Sequence, residues 1–223
     1  MTISELKFES FCKDNMIEYR RLPENDQKTP DYEVGFAGQP IAAEIKELTP
    51  NDAELEASRK ISTGQLVVQE SRIFGDRIRQ KIESAKKQLR NHAEGKCPAV
   101  LILYDARPPF IRGIYPSELA VAMYGALTLE YNVPKDMGQP IQYHRAKFGK
   151  DSKLRTNSHT FISALGVLRE MDPSPNLHLD LYHNLFADMP LPLDSLVNYP
   201  GITSYTIDPN KGDEYRDWLR IEP

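Results

Sequence analysis

The chain has 223 residues, of which 40% are hydrophobic and 27% are charged, and its formal net charge at pH 7 is -4. This composition supplies enough apolar material for one globular domain, and the weak negative charge excludes a protein that attracts nucleic acid through a strong overall positive field. The two cysteines, Cys12 and Cys97, are too few for a disulfide framework and lack metal-site spacing. The first residues lack the apolar segment of a signal peptide, and no run approaches ~20 apolar residues. We therefore expect a soluble, cytoplasmic protein with no membrane partner.

The first predicted element is a helix over residues 2–14. Thr2 and Glu5 have the spacing of a capping box, in which the side chain of each satisfies the backbone N–H of the other. Glu5 is then used locally, which leaves Glu9 as the free acid of this helix. The spacing of apolar residues predicts that its buried stripe consists of Ile3, Leu6 and Phe11.

Strands are predicted next, over residues 16–22, 29–34 and 39–46. A turn at residues 37–39, which includes a glycine, joins the last two strands into a hairpin. The hairpin brings its two strands side by side, so residues near its open end become neighbours although the sequence separates them.

Charged residues of opposite sign share one face of the last strand, where Glu44 and Lys46 alternate with apolar residues. A buried strand rarely keeps such charges unless they are paired or bind an ion. Asp31, at the start of the preceding strand, brings a second carboxylate to the same place. Two acids and one lysine at the end of a hairpin predict a site for a metal ion and a phosphate group.

Residues 49–71 are the least regular part of the N-terminal half. Asn51 and Asp52 have the pattern of a helix start, and residues 65–69 have the composition of a short strand. Both a flap beside the charged end of the hairpin and a plain surface excursion are compatible with this segment.

The clearest helix covers residues 74–93, and its apolar residues recur at spacings of four and three. Arg77, Lys81 and Gln88 lie on a different stripe. The helix is locally basic, a pattern typical both of phosphate contact and of an ordinary solvated face. Its predicted apolar stripe consists of Phe74, Ile78, Ile82, Ala85 and Leu89.

The remaining sequence begins with a continuous apolar run over residues 98–104, as expected for a strand covered on both faces. The element order to this point is αβββαβ, which predicts an α/β fold with a mixed central sheet flanked by helices. A helix is predicted over residues 116–129, and further strands over 141–148, 160–168, 177–182 and 202–207. We expect residues 1–223 to form a single domain, in which an α+β extension, residues 106–223, packs on a core formed by residues 1–105.

The order of elements, with Pro30-Asp31 on one strand and Glu44-Ile45-Lys46 on the next, resembles the PD-(D/E)XK superfamily of restriction-endonuclease-like nucleases. The resemblance covers roughly residues 1–105. The motif is short, and its specificity comes from the hairpin between its halves and the helices before and after it. The resemblance implies a restriction-endonuclease-like core and an enzyme that hydrolyses phosphodiester bonds with Mg²⁺, for which Mn²⁺ can substitute.

The resemblance also implies roles for the residues of the motif. Asp31 and Glu44 would ligate the metal together with the main-chain carbonyl of Ile45. Lys46 would hold or help deprotonate the attacking water. The residue types suit this chemistry independently of any family, because Mg²⁺ prefers oxygen ligands and keeps several waters, and a lysine supplies a point charge near a phosphate.

Weaker matches depend on helix position alone. Glu9 corresponds to an acid that many members place on the first helix, and Gln88 or Lys81 to a residue that some place on the second. Arg77, Lys81 and Lys87 are the candidates for contacts with nucleic acid.

The sequence thus favours a metal-dependent nuclease, and we expect an endonuclease that acts on DNA. The alternative is a catalytically silent module that binds nucleic acid or protein on the same fold, and a third reading is an α/β protein with a chance match. Binding of a divalent metal distinguishes the first from the other two. Cleavage of both strands of a duplex usually requires two active sites, which is compatible with a homodimer.

Overall fold

The chain folds around a mixed sheet of eight strands. This arrangement is seen in a computed structural model that describes residues 1–23, 28–36, 38–68, 74–136, 138–149, 151–171, 176–196, 199–207 and 218–222. The helices are α1 (Ile3–Asp14), α2 (Asp52–Ser62), α3 (Asp76–Ala93), α4 (Pro116–Tyr124) and the short α5 (Leu193–Leu196). The strands are β1 (Glu18–Arg21), β2 (Tyr32–Phe36), β3 (Gln39–Leu48), β4 (Ala99–Asp105), β5 (Leu127–Asn132), β6 (Gln142–Phe148), β7 (Ala164–Glu170), β8 (Leu177–His183), β9 (Ile202–Thr206) and β10 (Leu219–Arg220).

The large sheet has the order β1-β2-β3-β4-β7-β8-β9-β10. Its first three strands are antiparallel neighbours, β3, β4 and β7 run parallel, and β8 and β9 form another parallel pair. Strands β5 and β6 form a separate antiparallel ribbon. The mixed α/β class predicted from the sequence is therefore confirmed.

Two hydrophobic clusters cover the two faces of the sheet. On one face α1 packs with Phe8 and Phe11 against β2, β3 and β8. On the other face α3 and α4 pack against β3, β4 and β7, with Ile82 and Leu89 fully buried. All seven residues of β4 are buried, as its continuous apolar run predicts for a strand covered on both sides.

Several local predictions are confirmed. The capping box of Thr2 and Glu5 starts α1, and Asn51 starts α2 with a second capping box. The hairpin of β2 and β3 pairs Tyr32 with Ala43 and closes at Gly38, whose positive φ of 78° favours glycine. Strands β6, β8 and β9 lie where the sequence predicts strands.

Other predictions were wrong in their boundaries or burial. Ile3 and Leu6 are more than half exposed, because α1 turns the face containing Phe8 and Phe11 to the sheet. Phe74 precedes α3 and is 45% exposed, since Gly75 stands at the N-terminal cap position of the helix.

Two longer stretches also differ from the prediction. The fourth helix ends at Tyr124, and Leu129 belongs to β5. Residues 65–68 do not form the predicted strand, and residue 69 lies outside the described part of the chain.

The region after residue 105 is placed differently from the expectation. We expected an extension packed on a finished core, whereas β7 pairs with β4 and continues the sheet through β8 to β10. The sheet thus runs from the N-terminal hairpin into the C-terminal half without interruption. In the described part of the chain, no helix combines the length and apolar character that crossing a membrane requires.

Candidate metal and phosphate site

The centre of the candidate site is Glu44, a carboxylate with no exposed surface in the middle of β3. Alternation along the strand turns Ile41, Ala43 and Ile45 toward α1. Glu44 points to the opposite face, toward α3. The predicted division of β3 into an apolar face and a charged face is therefore confirmed.

Asp31 meets Glu44 through a reciprocal pair of hydrogen bonds. The backbone N–H of Asp31 donates to Oε2 of Glu44 at 3.2 Å, and the backbone N–H of Ile45 donates to Oδ2 of Asp31 at 2.8 Å. Asp31 directly precedes β2, where the regular backbone pairing with β3 ends at Tyr32 and Ala43. Hydrogen bonds of the two side chains thus connect the strands beyond the last backbone pair. They hold both acids next to each other.

Two further side chains bind the other oxygen of Glu44. Nζ of Lys46 lies 2.6 Å from Oε1 of Glu44, and Nε2 of Gln88, from α3, donates to the same oxygen at 2.6 Å. Gln88, proposed on helix position alone, therefore does reach the acid of the motif. The structure brings together Asp31, Glu44, Lys46 and Gln88 at one point.

The electrostatics of the pair reflect burial and proximity. Desolvation, followed by the negative charge of Asp31, raises the pKa of Glu44 to about 7. Burial also raises the pKa of Asp31, against the stabilising N–H of Ile45 and the charge of Lys46. Two carboxylates whose charged forms are both disfavoured would gain from a nearby divalent cation.

Three positively charged side chains lie near Asp31 and Glu44. The pKa of Lys81 on α3 is lowered, chiefly by burial and then by the charges of Lys46 and Arg77. These three cations therefore lie within electrostatic range of one another. Lys46 is paired with Glu44 and Arg77 with Glu54, so carboxylates already balance part of this positive charge.

The predicted nucleic-acid contacts are not equivalent. Arg77 donates to both carboxylate oxygens of Glu54 on α2, at 2.7 and 2.9 Å, and to the carbonyl of Thr49. Its guanidinium thus ties α2 to α3. Lys87 is exposed on the flank of α3, and Lys81 is half-buried beside Lys46.

Variants of the two lysines test their contact with phosphates. If these lysines contact DNA phosphates, Lys81→Ala and Lys87→Ala should each weaken DNA binding and reduce the slope of log affinity against log salt by about 1. The measurement is a salt titration of duplex binding in Ca²⁺. Lys13→Ala, at the end of α1 on the opposite face of the sheet, is the matched control. An unchanged slope would show that the lysine in question does not contact a DNA phosphate.

Glu9 occupies a different environment from the other candidate site residues. It accepts hydrogen bonds from the hydroxyl groups of Tyr32 at 2.9 Å and Tyr19 at 3.4 Å. These contacts lie on the α1 face, whereas Glu44 faces α3. The acid of α1 whose charge acts on Asp31 is Glu5, which raises the pKa of the Asp31 carboxyl.

Glu5, which the sequence assigns to the helix cap alone, has a second partner in the structure. Its Oε2 accepts the N–H of Thr2 at 2.5 Å, while its Oε1 pairs with Arg21 at 3.1 Å. Arg21 is paired in register with Tyr32, the neighbour of Asp31. The signal in the sequence is that a capping glutamate uses only one of its two oxygens for the cap. The other oxygen is left for a second partner.

The donor set fits a magnesium ion. Within the described ranges, no three Asp, Glu, His or Cys side chains converge as a complete metal cage. Mg²⁺ does not need one, since it is commonly held by one or two carboxylates, with waters and phosphate oxygens completing its shell. Asp31 and Glu44, with the carbonyl of Ile45, would supply such a set. Burial, and after it the charge of Asp31, raises the pKa of Glu44, and a cation beside the two carboxylates would favour their ionised forms.

Comparison of the chain with protein-family models, with curated proteins and with solved structures found no match.

Proposed function

We propose that this protein is a Mg²⁺-dependent phosphodiesterase that hydrolyses nucleic acid, with DNA as the expected substrate and endonucleolytic cleavage as the expected mode. The observation that carries the proposal is the convergence of Asp31, Glu44 and Lys46 at the open end of one hairpin. Each is also the residue type that the motif requires at its position. We further propose that α1, β1, the β2–β3 hairpin, α3 and β4 form a restriction-endonuclease-like core.

Each group has a defined part in the proposed reaction. Asp31, Glu44 and the carbonyl of Ile45 would hold Mg²⁺, which when bound polarises the phosphate and lowers the pKa of a coordinated water. Lys46 offers N–H donors to the attacking water and to a phosphate oxygen. Water would attack phosphorus in line, and its oxygen would form the new P–O bond while the water loses a proton to solvent. The P–O bond to the opposite ester oxygen breaks, and this oxygen leaves with the bonding electron pair and takes up a proton from solvent.

The residues of α3 support this arrangement. Gln88 holds Oε1 of Glu44 and so orients the acid. Lys81 adds positive charge beside Lys46 and would offset the charge that develops on the phosphate. We infer that α3 both positions the buried acid and approaches the substrate backbone.

A screen for metal-dependent cleavage tests the proposal. Purified protein is incubated with single-stranded, duplex and branched DNA and with RNA, in Mg²⁺, Mn²⁺, Ca²⁺ or EDTA. We expect cleavage in Mg²⁺ and Mn²⁺, none in EDTA, and binding without turnover in Ca²⁺, whose looser coordination positions the water less well. Undiminished cleavage in excess chelator would disprove the metal mechanism.

A second candidate function has one observation in its favour. Both oxygens of Glu44 accept hydrogen bonds from protein groups, which is also how a purely structural ion pair would look. A catalytically silent binding module would keep such a network without a metal. Calorimetry with Mn²⁺ decides between the two, since absence of binding would favour the silent module.

A further inference from the structure

A cavity of about 470 Å³ lies between the start of α4 and strands β7, β8 and β9. Its volume falls within the range of small-ligand pockets. It lies on the face of the sheet that α3 covers and toward which Glu44 points. Tyr182 packs in the same hydrophobic cluster as α3, and Asp180, two residues earlier on β8, lies on the same face of the strand as Tyr182. Strand β8 stands three strand spacings from β3, or about 14 Å, and helix α4 lies beside the cavity.

The polar part of the cavity is an ion pair held in one orientation. Nε of Arg169 donates to Oδ2 of Asp180 at 2.8 Å, and its Nη2 donates to the carbonyl of Ile114 at 2.7 Å. His178 approaches the other oxygen of Asp180 at 3.6 Å. The paired charges neutralise each other, so the cavity offers donors and an acceptor without a net charge that would attract a free anion.

The remaining wall is aromatic. Tyr182 and Tyr205 stack with their ring centres 5.0 Å apart and an angle of 13° between their planes. Trp218 stands edge-on to Tyr182, and its Nε1 donates to the carbonyl of Pro116 at 2.8 Å. These contacts fix three rings before any ligand arrives.

The exposed ring of the cavity belongs to Tyr115, which is 62% exposed. It lies beside Gly113, where an added Cβ would come within 3.4 Å of the ring. A methyl group at this position would make ordinary van der Waals contact with the ring and cover part of it. A planar group entering the cavity would lie against this ring.

We propose that this cavity binds a nucleobase. A neutral, planar heterocycle with donors and acceptors on its edge complements aromatic walls and a neutralised Arg–Asp pair, whereas an aliphatic chain would cover the pair without hydrogen-bonding to it. The choice of a nucleobase among planar ligands rests on the proposed nuclease function. The substrate would then be a strand with an unpaired or extruded base, since a base inside a duplex cannot enter a cavity. The base would sit a few nucleotides from the phosphate at Glu44.

The single tryptophan of the chain, Trp218, reports on the cavity directly. Its fluorescence is measured in EDTA while each of the common nucleoside monophosphates is added to millimolar concentration. We expect a saturable change in emission with at least one of them and none with ribose 5-phosphate, which lacks a base. Tyr115→Ala should weaken the affinity at least about fivefold, as expected for loss of base stacking. Tyr131→Ala, an exposed tyrosine on β5, should leave it unchanged.

Several outcomes would overturn the proposal. These are no saturable response, an equal response to ribose 5-phosphate, or equal affinity in Tyr115→Ala and wild type. Asp180→Asn keeps the shape of the side chain and should also weaken binding, because it removes a charged acceptor. The titration needs neither metal nor cleavage, so it can fail while the nuclease screen succeeds, or succeed while that screen fails.

Discussion

Glu44→Gln and Asp31→Asn should each reduce Mg²⁺-dependent cleavage by more than about a hundredfold, which exceeds the 10–100-fold loss typical of an outer-shell partner. Each substitution keeps the shape of the side chain and removes the charge that would bind the metal. The measurement is the single-turnover rate on the best substrate of the nuclease screen, at saturating Mg²⁺.

Glu33→Gln is the matched control, since Glu33 lies in the same hairpin but its carboxylate pairs with Arg20 on β1. It should cleave at the wild-type rate. The circular dichroism spectra of all three variants should match that of the wild type, because the amides keep a hydrogen-bonding group at each position. Near-wild-type cleavage by either site variant would show that its acid is not a metal ligand.

The parts of this site that the sequence predicted are those that depend on local geometry. The alternation of β3 determines that Glu44 and Lys46 share a face, and the turn at Gly38 determines that Asp31 lies beside Glu44. Both follow from the period of a strand and the length of a hairpin. Neither requires knowledge of what packs on the sheet.

The parts that the sequence did not predict depend on tertiary packing. The periodicity of α1 is compatible with more than one buried face, and Phe8 and Phe11 select a face that directs Glu9 to Tyr32. The attachment of Arg77 to Glu54 requires α2 and α3 to be neighbours. No local pattern contains that information, because the two residues are joined only by the packing of their helices.

The extent of the sheet is a similar case. A buried parallel strand such as β4 has to pair with a neighbouring strand at each edge. The sequence predicts several later strands that could pair with its second edge. The structure selects β7, whose Leu165 pairs with Leu101. Long-range pairing of this kind is not encoded in the period of either strand, which is why residues 106–223 were expected as an extension.

The stability of the metal-free protein should depend on pH through Glu44. Its pKa is raised from 4.5 to about 7 in the folded state, so between these values the folded protein binds more protons than the unfolded one. The free energy of unfolding should therefore fall as pH rises through this window, by about 3 kcal/mol from this group at 1.36 kcal/mol per pKa unit. Glu44→Gln should lack this component, because the amide does not titrate.

The difference in unfolding free energy between Glu44→Gln and wild type, measured by urea denaturation in EDTA, isolates this contribution. The unfolding free energy of the variant should increase relative to that of the wild type as pH rises. The difference should reach a plateau above about pH 7, the pKa of Glu44. Glu56→Gln, an exposed acid on α2, controls for loss of a surface charge. A difference independent of pH would mean that Glu44 is already ionised throughout this window.

Metal binding should show the opposite dependence on pH, because a metal ligand must lose its proton before it coordinates. The affinity of the wild-type protein for Mn²⁺, measured by calorimetry, should rise through the range in which Glu44 ionises and level off above about pH 7. The destabilising charge of the metal-free site would then be the same charge that binds the cation. Mn²⁺ affinity that stays constant from acidic to neutral pH would exclude Glu44 as a ligand, even if its titration were seen in the stability measurement.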